Sequence, residues 1–382
     1  MDKLKIYVVR MCLRFFWLFP IDKNKIFLSS YEGKQFSCNP KYIYQYLQKK
    51  DIPFKYVYEY NLSNIPSELK RYNVQVVKHN SLAYIWQIMT SKVLVTNSGI
   101  SCCFPLRKSQ ISINTWHGGG AYKKVGVSIS EEMNGSDSNR LKISAKQTTF
   151  FVSSSKMFTD IMSESVLLDK SKFLDIGMPR NDIFFEQEKL KLINNRVRQE
   201  LNIKEDDFIV LYAPTYRGNC GEDQENRIRF DAGRLKEAVK KRYKKNVSIL
   251  IRMHYFNNQG VGHQVCVKNV TDYPDMQELL AVADMLITDY SSSIWDYSFT
   301  KGVCHLYCYD FEEYDSERGF YSNIMQWPGI LSKSEEELYR NIIMFDENEY
   351  KKQVKKHHEM LLSYEEGVSC EKIYDIIKSC YK

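Results

Sequence analysis

Short apolar runs rich in β-branched and aromatic residues recur along this chain, separated by segments whose apolar positions follow a helical period. Lys25-Ile26-Phe27-Leu28-Ser29 predicts a strand. Asn39-Pro40 then opens a helix through Tyr42, Ile43, Tyr46 and Leu47, with Asn39 as its N-cap and Pro40 in the first helical position. Phe54 to Tyr58 and Val74 to Val77 predict strands, Leu82 to Met89 a helix, and Val93 to Thr96 a strand closed by Asn97-Ser98-Gly99. Two more strands follow, Ser112 to Trp116 and Thr149 to Val152, with a helix after Ser154. Nearly continuous apolar strands alternating with helices indicate a parallel sheet covered on both faces.

The second half repeats the pattern. Phe208 to Tyr212, Val247 to Ile251, Met285 to Thr288 and Val303 to Tyr307 predict strands; Leu235 to Tyr243 and Met276 to Val282 predict helices. The segment from Phe184 to Glu205 is polar and helical and reads as the passage between domains. The tail from Ser334 is helical and charged. At 382 residues the chain exceeds one ordinary core, so two domains are expected. The expected layout is a helix over residues 1–20, a first domain over 21–190 and a second over 191–382, whose last helices could pack back on the first. Both domains read as Rossmann-like and doubly wound, facing a central cleft, with ligands at the carboxyl ends of the strands.

Composition narrows the classes. An apolar share of 43% with 26% charged residues is that of a globular protein, which excludes a disordered chain. The net charge of +7 favours anionic partners. It is spread out and accompanied by no recognised nucleic-acid motif, so a nucleic-acid partner is not expected. The 10 cysteines form no paired C-x-x-C array, and reduced, buried thiols are the expectation. The first residues are too few and too charged to span a bilayer. Leu4, Tyr7, Val8, Met11, Phe15 and Leu18 fall on one helical face, with Lys3, Arg10 and Arg14 elsewhere. Such a helix suits an anionic membrane surface and suits a first helix packed on the core equally well.

Candidate chemistry sits in four loops that follow strands. In Trp116-His117-Gly118-Gly119-Gly120-Ala121-Tyr122-Lys123-Lys124, an imidazole stands beside unobstructed backbone that a substrate can approach closely. Arg217, after Tyr212-Ala213-Pro214-Thr215-Tyr216, is either a bidentate phosphate ligand or a solvated turn residue. Strand alternation puts Arg252 and His254 on one side, as phosphoryl-transfer groups or as an edge-exposed pair. Thr288-Asp289-Tyr290-Ser291-Ser292-Ser293 ends a strand and starts a helix, a setting that favours anions but also ordinary capping. Arg318, beside Gly319, is a second candidate phosphate clamp. Asp275 and Glu278 are candidates for ribose hydroxyls, against the alternative of acids placed at a helix N-terminus.

These segments resemble the CDP-glycerol glycerophosphotransferase family, whose members make or prime teichoic acids and related phosphate-containing capsule polymers. The matching stretches are Ser37-Cys38-Asn39-Pro40-Lys41-Tyr42, Thr115-Trp116-His117-Gly118, Gly177-Met178-Pro179-Arg180-Asn181-Asp182, Leu211-Tyr212-Ala213-Pro214-Thr215, Arg252-Met253-His254, Thr288-Asp289-Tyr290-Ser291-Ser292 and Arg318-Gly319-Phe320-Tyr321. They occur in family order and span most of the chain. The resemblance implies a GT-B fold, an acceptor on the N-terminal domain, CDP on the C-terminal domain, and peripheral attachment to the cytoplasmic face of the cell membrane.

On matched positions, the resemblance makes His117 the general base and His254 a second essential histidine, and sets Asp289, Ser291, Ser292 and Arg318 on the nucleotide side. Arg217, Arg252 and Glu278 join that side, and Gly118, Gly119 and Lys123 the acceptor side. Many relatives carry Gly-Thr-Pro-Leu-Lys after the first histidine, where this chain has Gly118-Gly119-Gly120-Ala121-Tyr122-Lys123. The implied reaction moves a polyol phosphate, glycerol phosphate foremost, from a CDP-polyol donor to a lipid-linked saccharide acceptor, releasing CMP. No metal pair is visible; no cofactor is required, and a loosely bound magnesium is compatible but not indicated. Nothing bears on oligomeric state. The rival expectations are a CDP-ribitol donor, a GT-B glycosyltransferase using a nucleotide sugar, and a non-catalytic membrane-surface protein.

Overall fold

A computed structural model describes residues 3–50, 52–61, 64–71, 73–129, 135–215, 229–253 and 267–381. The chain divides into two compact units. The first comprises Met1–Gly119, Val125–Asp182 and Ser363–Lys382; the second comprises Gly120–Lys124 and Ile183–Leu362.

The first unit is built on seven strands: β1 (Asp22–Ser29), β2 (Lys55–Glu59), β3 (Val74–Val77), β4 (Ser91–Thr96), β5 (Ile111–Asn114), β6 (Phe150–Ser153) and β7 (Phe173–Asp175). They lie in the order β3-β2-β1-β4-β5-β6-β7, all parallel. The second unit has six: β8 (Phe208–Tyr212), β9 (Val247–Ile251), β10 (Val267–Asn269), β11 (Met285–Thr288), β12 (Val303–Tyr307) and β13 (Ile330–Ser332). Their order is β10-β9-β8-β11-β12-β13, again all parallel. Each sheet therefore follows the doubly wound order in which the first and fourth strands are neighbours and the winding reverses between them. The strand ends at β1/β4 and at β8/β11 are the two switch points, where such sheets bind ligands.

Continuous apolar strands give continuous burial. All five residues of β8 and of β12 are buried, as parallel strands covered on both faces require. The polar start of β1 has its own explanation: Lys25 is buried, and its ammonium donates to Gln87 at 2.7 Å and to Thr90 at 2.6 Å. The eight described cysteines are free thiols.

Two sequence expectations shift, at the passage between domains and at the N-terminal helix. The polar helix, Gln187–Glu200, lies wholly in the second unit, and the chain passes between units at Asp182, earlier than residue 190. Ile193 and Val197 are buried, which ties the helix to one side of that passage. The last helix, Ser369–Ser379, belongs to the first unit. There Asp182 accepts the Ser369 and Cys370 amides at 3.0 and 2.8 Å, and Tyr374 meets Tyr46 of helix Cys38–Leu47. The N-terminal segment is a helix only over Lys3–Leu13, continued by a tighter turn at Arg14–Leu18. Its expected apolar face, from Leu4 to Leu18, is exposed, while Ile6 is buried. Arg10, expected off the apolar face, turns inward to the carbonyls of Cys102 (2.6 Å) and Phe104 (2.9 Å) and to Gln147.

Three histidines are held neutral inside the second unit. Burial lowers His305 to about 3 and His357 and His358 to about 4. His357 Nδ1 lies 2.7 Å from the Gln326 carbonyl, which only accepts, so Nε2 is left to accept from the Tyr122 hydroxyl at 3.0 Å. Neither His305 nitrogen has a partner among the described residues. A depressed histidine stabilises nothing above its unfolded pKa; as pH falls from there, the unfolded chain binds the proton first and stability drains away. The slope reaches about 1.4 kcal/mol per pH unit per histidine. The urea midpoint of the second unit is expected to fall steadily from pH 6.5 to about 4, followed by circular dichroism. His305→Leu flattens that slope without lowering the midpoint at pH 7.5; an unchanged slope in that variant contradicts the account.

Candidate active site

His117 stands just past β5 at the carboxyl ends of the first sheet. Its position is built from backbone outward. Thr115 N–H donates to the Thr96 carbonyl at 2.7 Å, extending the β4–β5 pairing by one residue. Trp116 then takes a left-handed φ of +52°, with its amide on Asn114 Oδ1 at 2.9 Å. A bulky residue there is strained, and the strain swings His117 out of the sheet plane. The Trp116 ring stacks on the imidazole at 4.7 Å, and Tyr31 meets it edge-on at 5.7 Å.

The imidazole is exposed, and its Nδ1 lies 2.9 Å from the Asn97 carbonyl. A carbonyl only accepts, so Nδ1 carries the proton in the neutral ring and Nε2 is the unprotonated nitrogen. That is the tautomer a general base needs. Gly118 and Gly119 follow, both buried, in the first unit.

Sequence reasoning missed how the loop is held. Asn39, expected as a helix cap, does not cap: Ser37 precedes the helix, and the Asn39 side chain reaches across to the loop. Its amide nitrogen donates to the carbonyls of Thr115 (3.0 Å) and Trp116 (3.1 Å), while its oxygen accepts the Arg180 amide at 3.0 Å. The fully buried Asn97 accepts Tyr31 N–H on its side-chain oxygen at 2.8 Å. Both asparagines lie in stretches already singled out, but their targets are distant in sequence, and no local pattern encodes them. The Gly177–Asp182 stretch proves to be a clamp for the returning tail: Glu365 accepts Met178 N–H at 3.0 Å and the Asn181 amide at 3.1 Å.

In the second unit, Asp289 follows β11 directly and is buried. Its carboxylate accepts Thr215 N–H at 2.8 and 3.0 Å and Tyr290 N–H at 2.6 Å. It thereby fastens the loop after β8. Ser291 and Ser292 are half-buried; Ser291 Oγ accepts from the Ser293 hydroxyl at 2.9 Å. The helix itself starts at Ser293, later than expected, and runs only to Tyr297. Arg252 lies just beyond β9, its amide on the Tyr212 carbonyl at 2.9 Å. Arg217 and His254 lie outside the described residues.

Two assignments change. Lys123, grouped with the acceptor side, is counted with the second unit and pairs with Phe320. The surrounding bonds run from Tyr321 N–H to the Tyr122 carbonyl (2.9 Å) and from Lys124 N–H to the Gly319 carbonyl (3.3 Å). A Cβ on Gly319 would meet Lys124 Nζ at 3.2 Å, so Lys124 lies over the glycine next to the exposed Arg318. Tyr290 stacks on Tyr314 at 4.1 Å and packs on Phe320, joining the Asp289–Ser292 turn to this basic strip. Glu278 is committed elsewhere: Arg196 holds it at 2.7 Å and the Tyr273 hydroxyl at 2.8 Å, which secures helix Gln187–Glu200. Asp275 is a helix cap, accepting Gln277 N–H at 2.9 Å. No group of three or more histidine, cysteine, aspartate or glutamate side chains among the described residues is arranged to hold a metal ion.

A sequence model of the family described as CDP-Glycerol:Poly(glycerophosphate) glycerophosphotransferase matches residues 11–379. The chain belongs to that glycerophosphotransferase family. It is 29% identical to the teichoic acid glycerol-phosphate transferase of Staphylococcus aureus, over 93% of each chain. It is 27% identical to a teichoic acid poly(glycerol phosphate) polymerase of Bacillus spizizenii, over 97% of this chain and 96% of the other. Against the Staphylococcus epidermidis polymerase it spans 94% of its own length but 51% of that protein. A solved structure of the wall teichoic acid polymerase TagF superposes with a TM-score of 0.84 at 24% identity, covering 100% of this chain and 99% of that one. A Listeria monocytogenes structure described as a UDP-N-acetylglucosamine 2-epimerase shares the α/β fold at TM-score 0.54. This glycerophosphotransferase-family enzyme thus has two parallel-sheet domains like TagF and like GT-B-type proteins.

The Asn39 bridge gives a test. Asn39→Ala removes three hydrogen bonds to backbone groups of the His117 loop and of Arg180, and is expected to destabilise the first unit by about 1–3 kcal/mol. Polyol-phosphate transfer should fall about tenfold or more at a temperature where the variant remains folded. Full activity in folded Asn39→Ala would show that the loop keeps its place without the bridge.

Proposed function

We propose that the enzyme transfers glycerol phosphate from CDP-glycerol to a hydroxyl of a membrane-associated, lipid-linked saccharide acceptor. The observation that carries this reading is the His117 imidazole, fixed by the Asn97 carbonyl so that Nε2 is the unprotonated nitrogen, in a chain matched over residues 11–379 by a glycerophosphotransferase model. The acceptor hydroxyl gives its proton to His117 Nε2 as its oxygen bonds to the distal phosphorus. The bond from that phosphorus to the bridging oxygen breaks, and CMP leaves with that oxygen. Phosphoryl transfer of this kind depends mainly on position and on charge placed around the diphosphate. Arg318, Lys123, Lys124 and the Ser291–Ser292 turn supply the cations and hydroxyls, and Arg252, just beyond β9, is a further cation of this unit. Asp289 acts by holding the loop that follows β8, and His254 and Arg217 keep the roles their motifs suggest. No cofactor is invoked.

Glycerol is preferred over ribitol because the matching model and the Staphylococcus aureus relative both name glycerol phosphate, and a TagF structure was obtained with CDPG. A teichoic acid ribitol-phosphate primase of Bacillus spizizenii, 26% identical over 95% of this chain, makes CDP-ribitol the second donor to try.

Attachment to the membrane surface is supported by the N-terminal helix. Leu4 and Leu18 are 75% and 76% exposed, Met11 and Phe15 are also open, and Lys3, Lys5 and Arg14 flank them. Among the described residues no helix is long and apolar enough to cross a membrane. An apolar face with a basic border fits an anionic lipid surface.

His117→Ala and His117→Gln are expected to cut CMP release from CDP-glycerol by at least about a hundredfold, with CDP-glycerol affinity retained. Wild-type turnover in either variant removes His117 as the base, and release of a UDP-type diphosphate from a nucleotide sugar would replace the whole reading. Separately, the triple change Leu4→Ser, Met11→Ser and Leu18→Ser should weaken co-sedimentation with phosphatidylglycerol vesicles at least tenfold, each side chain contributing about 1 kcal/mol when half-buried in lipid. Unaltered co-sedimentation would assign the exposed face another purpose.

A further inference from the structure

A cavity of about 220 Å³ opens in the first unit at the carboxyl ends of β1, β2 and β4. Its wall includes Thr96 and Ser98, the neighbours of the Asn97 that holds His117, and Glu32, the neighbour of the Tyr31 that packs against His117. The cavity therefore shares its supports with the reactive imidazole.

One of its polar groups lacks a partner and another is a buried carboxyl. Thr96 is 3% exposed, and its hydroxyl has no hydrogen-bond partner among the described residues. A buried hydroxyl left unsatisfied costs about 1–3 kcal/mol, a cost that a ligand hydroxyl would remove. Glu59, at the end of β2, is 1% exposed and bonds His79 Nδ1 and Ser29. Burial raises its carboxyl above the ordinary value, partly offset by those two bonds. Tyr84 and Phe27 give the wall an apolar face.

The backbone is bent to form this place. Tyr31, Glu32 and Gly33 take successive positive φ values of 50°, 55° and 77°, strained for the first two. Only glycine fits third, since a Cβ would lie 2.9 Å from Glu59 Cγ. Asn61 locks the turn, donating to the Glu32 carbonyl at 3.0 Å and accepting His79 N–H at 2.6 Å.

Two carboxylates, Glu32 and Glu59, face one arginine, Arg140, and the engaged His79. That balance repels phosphate and suits hydroxyls, for which carboxylates are strong acceptors. The volume lies below that of drug-sized pockets and matches a single sugar or polyol unit. We propose that this cavity is the acceptor subsite, in which Glu59 and Thr96 hold the hydroxyls of one uncharged sugar or polyol unit and so aim the attacking hydroxyl at His117. The assignment rests on the transferase reading above.

Glu59→Gln and Thr96→Val test it, the second being nearly isosteric and independent of the His79 contact. Each variant should raise KM for a lipid-linked saccharide acceptor at least tenfold while Kd for CDP-glycerol stays within twofold. An unchanged acceptor KM in folded Thr96→Val, or an equal loss of donor affinity, overturns the proposal. Saturation-transfer NMR with methyl hexosides and glycerol should give signals on the wild type that Thr96→Val loses, with inorganic phosphate giving none. Phosphate binding, or hydroxyl-probe signals that survive Thr96→Val, would also overturn it. A wild type that binds no CDP-polyol defeats the transferase reading instead, and the NMR comparison still reports on the cavity.

Discussion

Asn97 is fully buried at the end of β4, and three loops are fastened through it. Its carbonyl takes His117 Nδ1 from the loop after β5, its side-chain oxygen takes Tyr31 N–H from the loop after β1, and Ser98 begins its own loop. Each bond is worth only about 1 kcal/mol, yet each is expensive to leave unmade in a buried place. The arrangement depends on sheet register. Ser29 pairs with Thr96, and Thr96 with Asn114, so the three loops leave the sheet at one level. A slip of one residue would invert every side chain and separate His117 from its carbonyl. The tautomer of His117 is thus a consequence of β-sheet pairing.

The second unit repeats the device. Asp289 follows the last residue of β11 as Asn97 follows the last residue of β4, and its carboxylate takes Thr215 N–H from the loop after β8. In both units the loop after the first strand is tied to a polar residue just beyond the fourth. The doubly wound order demands some such tie, because at the switch point adjacent strands lead their chains to opposite faces and the backbone groups between them lose their ladder partners. The first unit uses a neutral amide and the second an anion. The Asp289 carboxylate takes the Thr215 and Tyr290 amides, and the basic side chains of this unit's other strip, Lys123 and Lys124, stand on the segment paired with Gly319–Tyr321, next to Arg318.

What was legible in the sequence follows from this division. Strands such as β8, β9, β11 and β12 begin and end at the expected residues because they are buried almost throughout and a nearly continuous apolar run leaves little choice. The loops at their ends were also legible, since WHGGG and TDYSSS break the apolar pattern at a strand terminus. Hydrogen bonds across long sequence separations were not. Asn39 looked like a cap because Asn-Pro is a helix start, but its actual partners lie some 76 residues away. Glu278 looked available because a charge on a helix is usually solvated; Arg196, from the polar helix, occupies it. The N-terminal helix left two readings open, and its apolar face proves exposed. An amphipathic sequence fixes which side chains share a face but not which face meets the protein, and here an arginine, satisfied by two carbonyls and a glutamine, supplies the anchor.

Under the proposed reaction, in which His117 is the base, the choice of a carbonyl to orient it has a chemical meaning. A carboxylate in that position would stabilise the imidazolium and strengthen the base, whereas a carbonyl fixes the ring while giving the cation less support. A stronger base helps most when a proton must leave early. In a loose phosphoryl transition state the nucleophile is barely bonded, its hydroxyl is still weakly acidic, and early deprotonation gains little. Orientation then matters more than basicity. The surroundings of His117 are spent on orientation: a stacked Trp116 at a strained φ, an edge-on Tyr31 at another, and an asparagine bridge beneath the loop. Such strain persists only where neighbouring contacts over-determine the backbone, and here they do so around a single ring nitrogen.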